Sequence, residues 1–352
     1  MAQGDDVTPA AILHRALADP ASMRALSADE WNALIRVGRA ERLLGTVAAR
    51  AAPLWDALPE GARACLAEER ELIRADHLAA RWEIDRAALA LENVGCPVIL
   101  MKGSAYLHAG LAVAEGRRIG DLDILVPRPA LPAVEAALLA HGWVPAKENA
   151  YDDHYYRAWM HELPPMVHKE RGGVIDVHHT ILPLTARLKP DADALIESRV
   201  PAGNGLFVLG PETMLLHSAA HVAYDGEFEG GARNLWDIHG LATDFARTQG
   251  FWDRLAAAAD RHQLRVPLSR ALRLAQRLYG TAVPEALVGR MDLVDRLALR
   301  KLHGRDRFGH QGAKLSDRLL YIRGHWLRMP PLMLARHLAR KALRRKERVQ
   351  PV

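Results

Sequence analysis

The chain is poor in cysteine, with only Cys65 and Cys96 among 352 residues. Two thiols make neither a disulfide framework nor a cysteine-rich zinc site, and such usage suits a reducing compartment. No apolar run approaches the roughly 18 residues that a membrane span requires. Met1 to Asp6 is polar and acidic, without a basic segment leading into an apolar one. A cytoplasmic location without a membrane span is the expectation. Aromatic residues make up only 6%, and none alternate with basic residues in the manner used to stack single strands. Nucleic acid is therefore not an expected partner. Also missing are the Walker-type Gly-x-x-x-x-Gly-Lys, the Rossmann Gly-x-Gly-x-x-Gly and a Ser-His-Asp order. These absences argue against P-loop, dinucleotide and serine-hydrolase chemistry.

What remains is ordinary for a globular protein: 49% hydrophobic residues, 25% charged residues and a net charge of +5. Much of the positive excess lies in Arg336, Arg340, Lys341, Arg344, Arg345, Lys346 and Arg348. That run reads as a solvated terminal helix in preference to a surface for nucleic acid or acidic membrane.

Residues 7 to about 95 carry apolar positions at helical spacing, including Ala11, Ile12, Leu13, Ala16 and Leu17. Ser27 and Glu30 form a capping-box pattern ahead of Trp31. A long helix is expected from about Pro59 to Glu92, ended by Gly95. From Cys96 to about Pro211 the texture changes to short β-branched runs broken by Gly and Pro. Within it, Pro127 to His141 reads as a helix, and Leu206 to Leu209 as a last strand. Arg171-Gly172-Gly173 is a hairpin turn between Pro165–Lys169 and Val174–His179. Helical patterns resume at Pro211, with Gly226 to Gly231 as a loop. The division is thus a helical region over 1–95, a core over 96–210 and a helical domain over 211–352.

The stretch that carries chemistry runs from Val98 to Val126. An apolar run ends at Lys102-Gly103-Ser104, and a second one contains Asp121-Leu122-Asp123. Side chains two apart on a strand share a face, so Asp121 and Asp123 project together while Leu122 and Ile124 enter a core. Adjacent half-buried carboxylates repel unless a cation lies between them, which points to a divalent metal. Gly103 and Ser104, between a strand and a helix-like segment from Ala105 to Leu111, supply backbone N–H groups of the kind that hold phosphate. In the later strand Ile175-Asp176-Val177-His178, Asp176 and His178 share one face.

A strand, a Gly-Ser turn, a helix and Asp-x-Asp on a second strand resemble the DNA polymerase beta-like nucleotidyltransferase superfamily. The pattern Leu100-Met101-Lys102-Gly103, then Arg118, then Asp121-Leu122-Asp123-Ile124-Leu125-Val126 is similar to an uncharacterised bacterial branch of it. The resemblance implies an α+β fold, a nucleotidyltransferase core with a small mixed sheet flanked by helical regions. It implies Asp121, Asp123 and Asp176 as catalytic metal ligands for Mg2+ or Mn2+, and Gly103-Ser104 on the triphosphate of an NTP such as ATP. Lys102 and Arg118 are further nucleotide-binding candidates. His178 reads as a neighbour of the carboxylates, and His221 and Asp237 match recurrent family positions on the first two C-terminal helices. An interhelical hydrogen bond would explain that last pair. The implied activity moves NMP from an NTP to an acceptor, a small molecule, peptide or protein, with release of pyrophosphate.

Two other classes compete. A non-catalytic nucleotide-binding or antitoxin-like module would keep the nucleotide-binding shape and act by binding a partner. A His/Asp metallohydrolase would use His178-His179 with His217 and His221, at i, i+4 spacing, to hold zinc or iron. His217-x-x-x-His221 lacks the Glu of the metalloprotease motif.

Overall fold

In the computed structural model the described residues are 8–146, 156–224, 230–331 and Leu334. The basic run from Arg336 to Arg348 lies outside them, as does most of the Gly226–Gly231 loop. The fold is α+β: a seven-stranded mixed sheet wrapped by helices on the N- and C-terminal sides.

The N-terminal helices form where their caps dictate. Helix α1, Pro9–Ala18, starts at Thr8, whose hydroxyl accepts from the Ala11 N–H, and buries Ile12, Leu13, Ala16 and Leu17. Helix α2, Ala28–Ala40, carries the Ser27/Glu30 capping box. The short helix α3, Leu44–Arg50, precedes α4, Glu60–Leu91, which matches the long helix expected from sequence. On α4, Leu66, Ile73 and Ile84 are buried, but Leu72, Leu78, Trp82 and Leu89 face solvent. The apolar pattern of this helix is wider than its buried stripe.

The strands are β1 Val98–Leu100, β2 Leu122–Leu125, β3 Trp143–Pro145, β4 Met166–His168, β5 Val174–His178, β6 Val200–Gly203 and β7 Leu206–Val208. Their order is β3-β4-β5-β2-β1-β7-β6. The pairs β5–β2 and β1–β7 are parallel and the remainder antiparallel. The expected hairpin is present as β4–β5. Its tip is pinned to α4, where Arg171 Nε and Nη2 donate to the two Glu83 carboxylate oxygens at 2.7 and 3.1 Å. Strand β6 adds to the expectation. Asn204 and Gly205, at φ of 51° and 73°, make the two-residue turn that joins it to β7.

Between strands lie α5, Lys102–His108, and α6, Leu131–Ala140. Helix α5 begins at Lys102 itself, three residues ahead of the expected start, with Lys102 at φ 50°. The later helices include α7 Ala192–Glu197, α8 Pro211–Tyr224, α9 Gly231–Phe245, α10 Phe251–Arg261 and α11 Arg265–Tyr279. Helix α8 packs on α9, α10 and α11, and α1 packs on α11, so the two helical regions touch. No described helix is long and apolar enough to cross a membrane.

One buried ion pair ties these layers together. Arg117, in the loop before β2, donates from Nε and Nη2 to both carboxylate oxygens of Asp237 on α9, at 3.0–3.1 Å. Its Nη1 donates to the Arg118 carbonyl, and its guanidinium lies 5.4 Å from the Tyr106 ring centre. Asp237 therefore serves Arg117 and not His221, which corrects the expected interhelical hydrogen bond. Both partners are buried, at 6% and 2% exposure, so deleting one strands the other. Asp237→Ala is expected to cost about 3–5 kcal/mol, seen as a lower urea midpoint at unchanged slope. An unchanged midpoint contradicts this account of the pair.

Candidate metal and nucleotide site

The parallel register of β2 and β5 sets Asp123 opposite Asp176. Asp121 sits just before β2, exposed, two residues from the buried Asp123. Ligand atoms of Asp121, Asp123 and Asp176 all lie within 4.8 Å of one another. The three carboxylates singled out in the sequence are thus brought to one place. The Asp176 Oδ1 atom is buried and has no hydrogen-bond partner among the described residues. An orphaned buried oxygen within an all-oxygen donor set fits a hard divalent cation such as Mg2+ or Mn2+.

The three carboxylates differ in charge state. Burial alone would push Asp123 up, but Lys102 Nζ at 2.6 Å and His178 Nε2 at 2.9 Å outweigh it and hold the group well below the usual carboxylate range. An ionised carboxylate only accepts, so His178 Nε2 carries the proton in that contact. Asp176 goes the other way. Burial, then the charges of Asp123 and Glu162, raise it to about 7. Burial likewise lifts Glu162, with Asp123 and Asp121 adding to the rise and His178 and Lys102 opposing it.

Lys102, a nucleotide-binding candidate, has its ammonium engaged by Asp123 in this structure. Burial works against the charged form, yet the Asp123 carboxylate raises its pKa above the ordinary lysine value. Next to it, Ser104 Oγ donates to the Met101 carbonyl at 2.9 Å. Among the described residues no acceptor takes the backbone N–H of Gly103 or Ser104. Gly103 has a second reason to be glycine: an added Cβ would lie 2.0 Å from Arg117 Nη1. The Arg117–Asp237 pair therefore closes directly behind this turn.

Arg118 is held by Glu69 and Asp76 of α4, each at 3.2 Å, and not by the three aspartates. Its neighbour Arg117 takes the interior position. His178 lies beside the carboxylates, as its face implied, but bonds Asp123 and not Asp176. On α8, His217 is buried and His221 half-buried. Burial, then Lys102, lowers His221 to about 3 and holds His217 well below the usual histidine range. Burial and Arg128 lower His179 to about 4. None of these three joins a metal-ligand group among the described residues, so the four-histidine set of the hydrolase reading is not assembled.

Sequence reasoning passed over Glu162 and His161. Both precede β4 in a stretch with no strand or helix pattern, and the expected strand began only at Pro165. The segment nevertheless runs beside β5, since Leu163 N–H donates to Val177 and His179 N–H to His161, both at 2.9 Å. Glu162 thereby becomes a fourth acidic group at the site. A groove of about 730 Å³ opens onto Asp121 and Ser104 between α4 and the β4–β5 hairpin, with Leu78, Trp82, Ile119 and Val174 along its walls.

A sequence model of a family described as an uncharacterised nucleotidyltransferase matches residues 27–280. The chain belongs to that family. No curated protein and no solved structure matches the chain.

The raised Asp176 carboxyl has a signed consequence for stability. Its folded pKa of about 7 exceeds the 3.8 of the free group. Between these values the folded state holds the proton and the unfolded state releases it, so this contribution to stability falls as pH rises from about 4 to 7. Asp176→Asn, neutral at every pH, is expected to raise the metal-free melting temperature by at least about 2 °C at pH 8 and to leave it unchanged at pH 4. Equal shifts at both values would contradict the assignment of burial and charge repulsion to Asp176.

Proposed function

We propose that this protein is a metal-dependent nucleotidyltransferase that moves NMP from an NTP to an acceptor hydroxyl or other nucleophile and releases pyrophosphate. The observation that carries the reading is the convergence of the Asp121, Asp123 and Asp176 ligand atoms within 4.8 Å in a chain of this family. Asp121 and Asp123 would hold both Mg2+ or Mn2+ ions and Asp176 one of them. When bound, such a pair would lower the pKa of the attacking hydroxyl and stabilise the departing pyrophosphate.

The chain's own groups do the rest. The free N–H groups of Gly103 and Ser104 bind the triphosphate and orient its α-phosphorus toward the aspartates. The acceptor oxygen forms a bond to that phosphorus as the bond to the bridging oxygen breaks. Asp176, raised toward neutral pH, receives the acceptor proton, because general bases work best when their pKa lies near the working pH. His178 fixes the Asp123 carboxylate by its Nε2–H. Lys102 keeps Asp123 neutralised until the substrate arrives, and its ammonium is then available to a phosphate.

One observation favours a second reading. Lys102 already supplies Asp123 with a cation at 2.6 Å, as a non-catalytic module that binds a partner would require. A thermal-shift panel separates the two: four NTPs, with and without magnesium, on wild type and on Asp121→Asn/Asp123→Asn. Saturation at a hundred times the dissociation constant adds about 2.7 kcal/mol. The proposal expects magnesium-dependent stabilisation by at least one NTP, lost in the double variant. Absence of any shift in the folded wild type, or a shift indifferent to magnesium and to the substitutions, would overturn it in favour of the binding module.

A further inference from the structure

Beside the three aspartates stands a second group of converging ligand atoms, from His161, Glu162 and His178, that the proposed reaction leaves without an assigned ligand. We propose that these three residues bind a borderline divalent cation of the zinc class, separate from the magnesium or manganese held by the aspartates.

The argument starts at His178, which is 2% exposed. Its Nε2–H is committed to Asp123 Oδ1 at 2.9 Å. A carboxylate on one ring nitrogen is the arrangement that fixes the tautomer of metal-binding histidines and leaves the other nitrogen bare. That other atom, His178 Nδ1, lies 3.2 Å from Glu162 Oε2, but the contact lacks hydrogen-bond geometry and Nδ1 has no hydrogen-bond partner among the described residues. His161 Nε2 lies 3.7 Å from the same Glu162 oxygen, and the two imidazole rings are 5.2 Å apart. His178 Nδ1 and His161 Nε2 thus close on one carboxylate oxygen. A proton satisfies one such contact, whereas a divalent cation satisfies all three together.

The donor set names the class. Two imidazole nitrogens and one carboxylate oxygen suit zinc, or iron of similar preference, while magnesium and manganese favour oxygen donors. The group is also preformed. The backbone bonds of Leu163 to Val177 and of His179 to His161 fix both sides of Glu162 against the end of β5. A cation there would offset the Glu162 carboxylate, whose charged form is disfavoured by the neighbouring Asp123 and Asp121. Lys102, the other cation nearby, is already engaged by Asp123.

The full-length protein, dialysed against magnesium buffer containing trace zinc, should retain about one equivalent of zinc by elemental analysis. Cobalt in its place should give visible absorption bands of a nitrogen-ligated site. His161→Ala and Glu162→Gln should each weaken zinc binding by at least about tenfold while the circular dichroism spectrum is kept. Asp121→Asn should bind zinc as wild type does. Wild type without zinc, or zinc retained in both His161→Ala and Glu162→Gln, overturns the proposal. So does loss of zinc in Asp121→Asn, which would place the metal on the aspartates. None of these outcomes touches the nucleotide panel, so this inference and the transferase reading fail separately.

Discussion

The parallel pairing of β2 with β5 places Asp123 directly across from Asp176, and much of the surrounding structure answers the repulsion that this register creates. Two carboxylates on adjacent strands, one 2% exposed, are tolerated only with compensating charge or proton uptake. Both remedies are present. Lys102 and His178 hold Asp123 ionised, and Asp176 shifts toward its neutral form. Lys102 reaches Asp123 from a left-handed backbone conformation at the first residue of α5. Strain of this sort persists only where the surroundings over-determine it, and it concentrates at functional sites.

Behind that front layer the Arg117–Asp237 pair fixes the turn that carries Gly103. The guanidinium occupies the space that a side chain at position 103 would need, and its partner comes from α9. The C-terminal helices thus set the position of the Gly103-Ser104 turn as well as covering the sheet. On the opposite side α4 grips the β4–β5 hairpin through Glu83 and leaves Trp82 and Leu78 facing the groove that ends at Asp121. The helical regions therefore shape the approach to the carboxylates from two directions.

Features governed by local rules were legible in the sequence. The capping box at Ser27, the extent of α4, the β4–β5 hairpin and the shared face of Asp121 and Asp123 all follow from spacing or turn chemistry over a few residues. The β6–β7 hairpin carried an equally local signal in Asn204-Gly205 that the reading passed over. Other features depend on which distant segment comes near. Nothing in the sequence distinguishes Arg117 from Arg118; their roles part because one faces α9 and the other α4. Glu162 and His161 sit in a stretch without periodicity and gain meaning only from pairing beside β5. The apolar residues of α4 likewise read as core because periodicity does not tell which apolar face finds a partner.

The central claim is that Asp121, Asp123 and Asp176 form one divalent-cation site that completes itself with a nucleoside triphosphate. The most direct measurement is equilibrium Mn2+ binding, followed by the electron paramagnetic resonance of the free ion. It would be made on wild type and Asp176→Asn, with and without a triphosphate blocked at its α–β bridge. The account predicts Mn2+ binding that strengthens and increases in stoichiometry when the analogue is added, with the increase lost in Asp176→Asn. Mn2+ binding that ignores both the analogue and the substitution, or none at all, would contradict it.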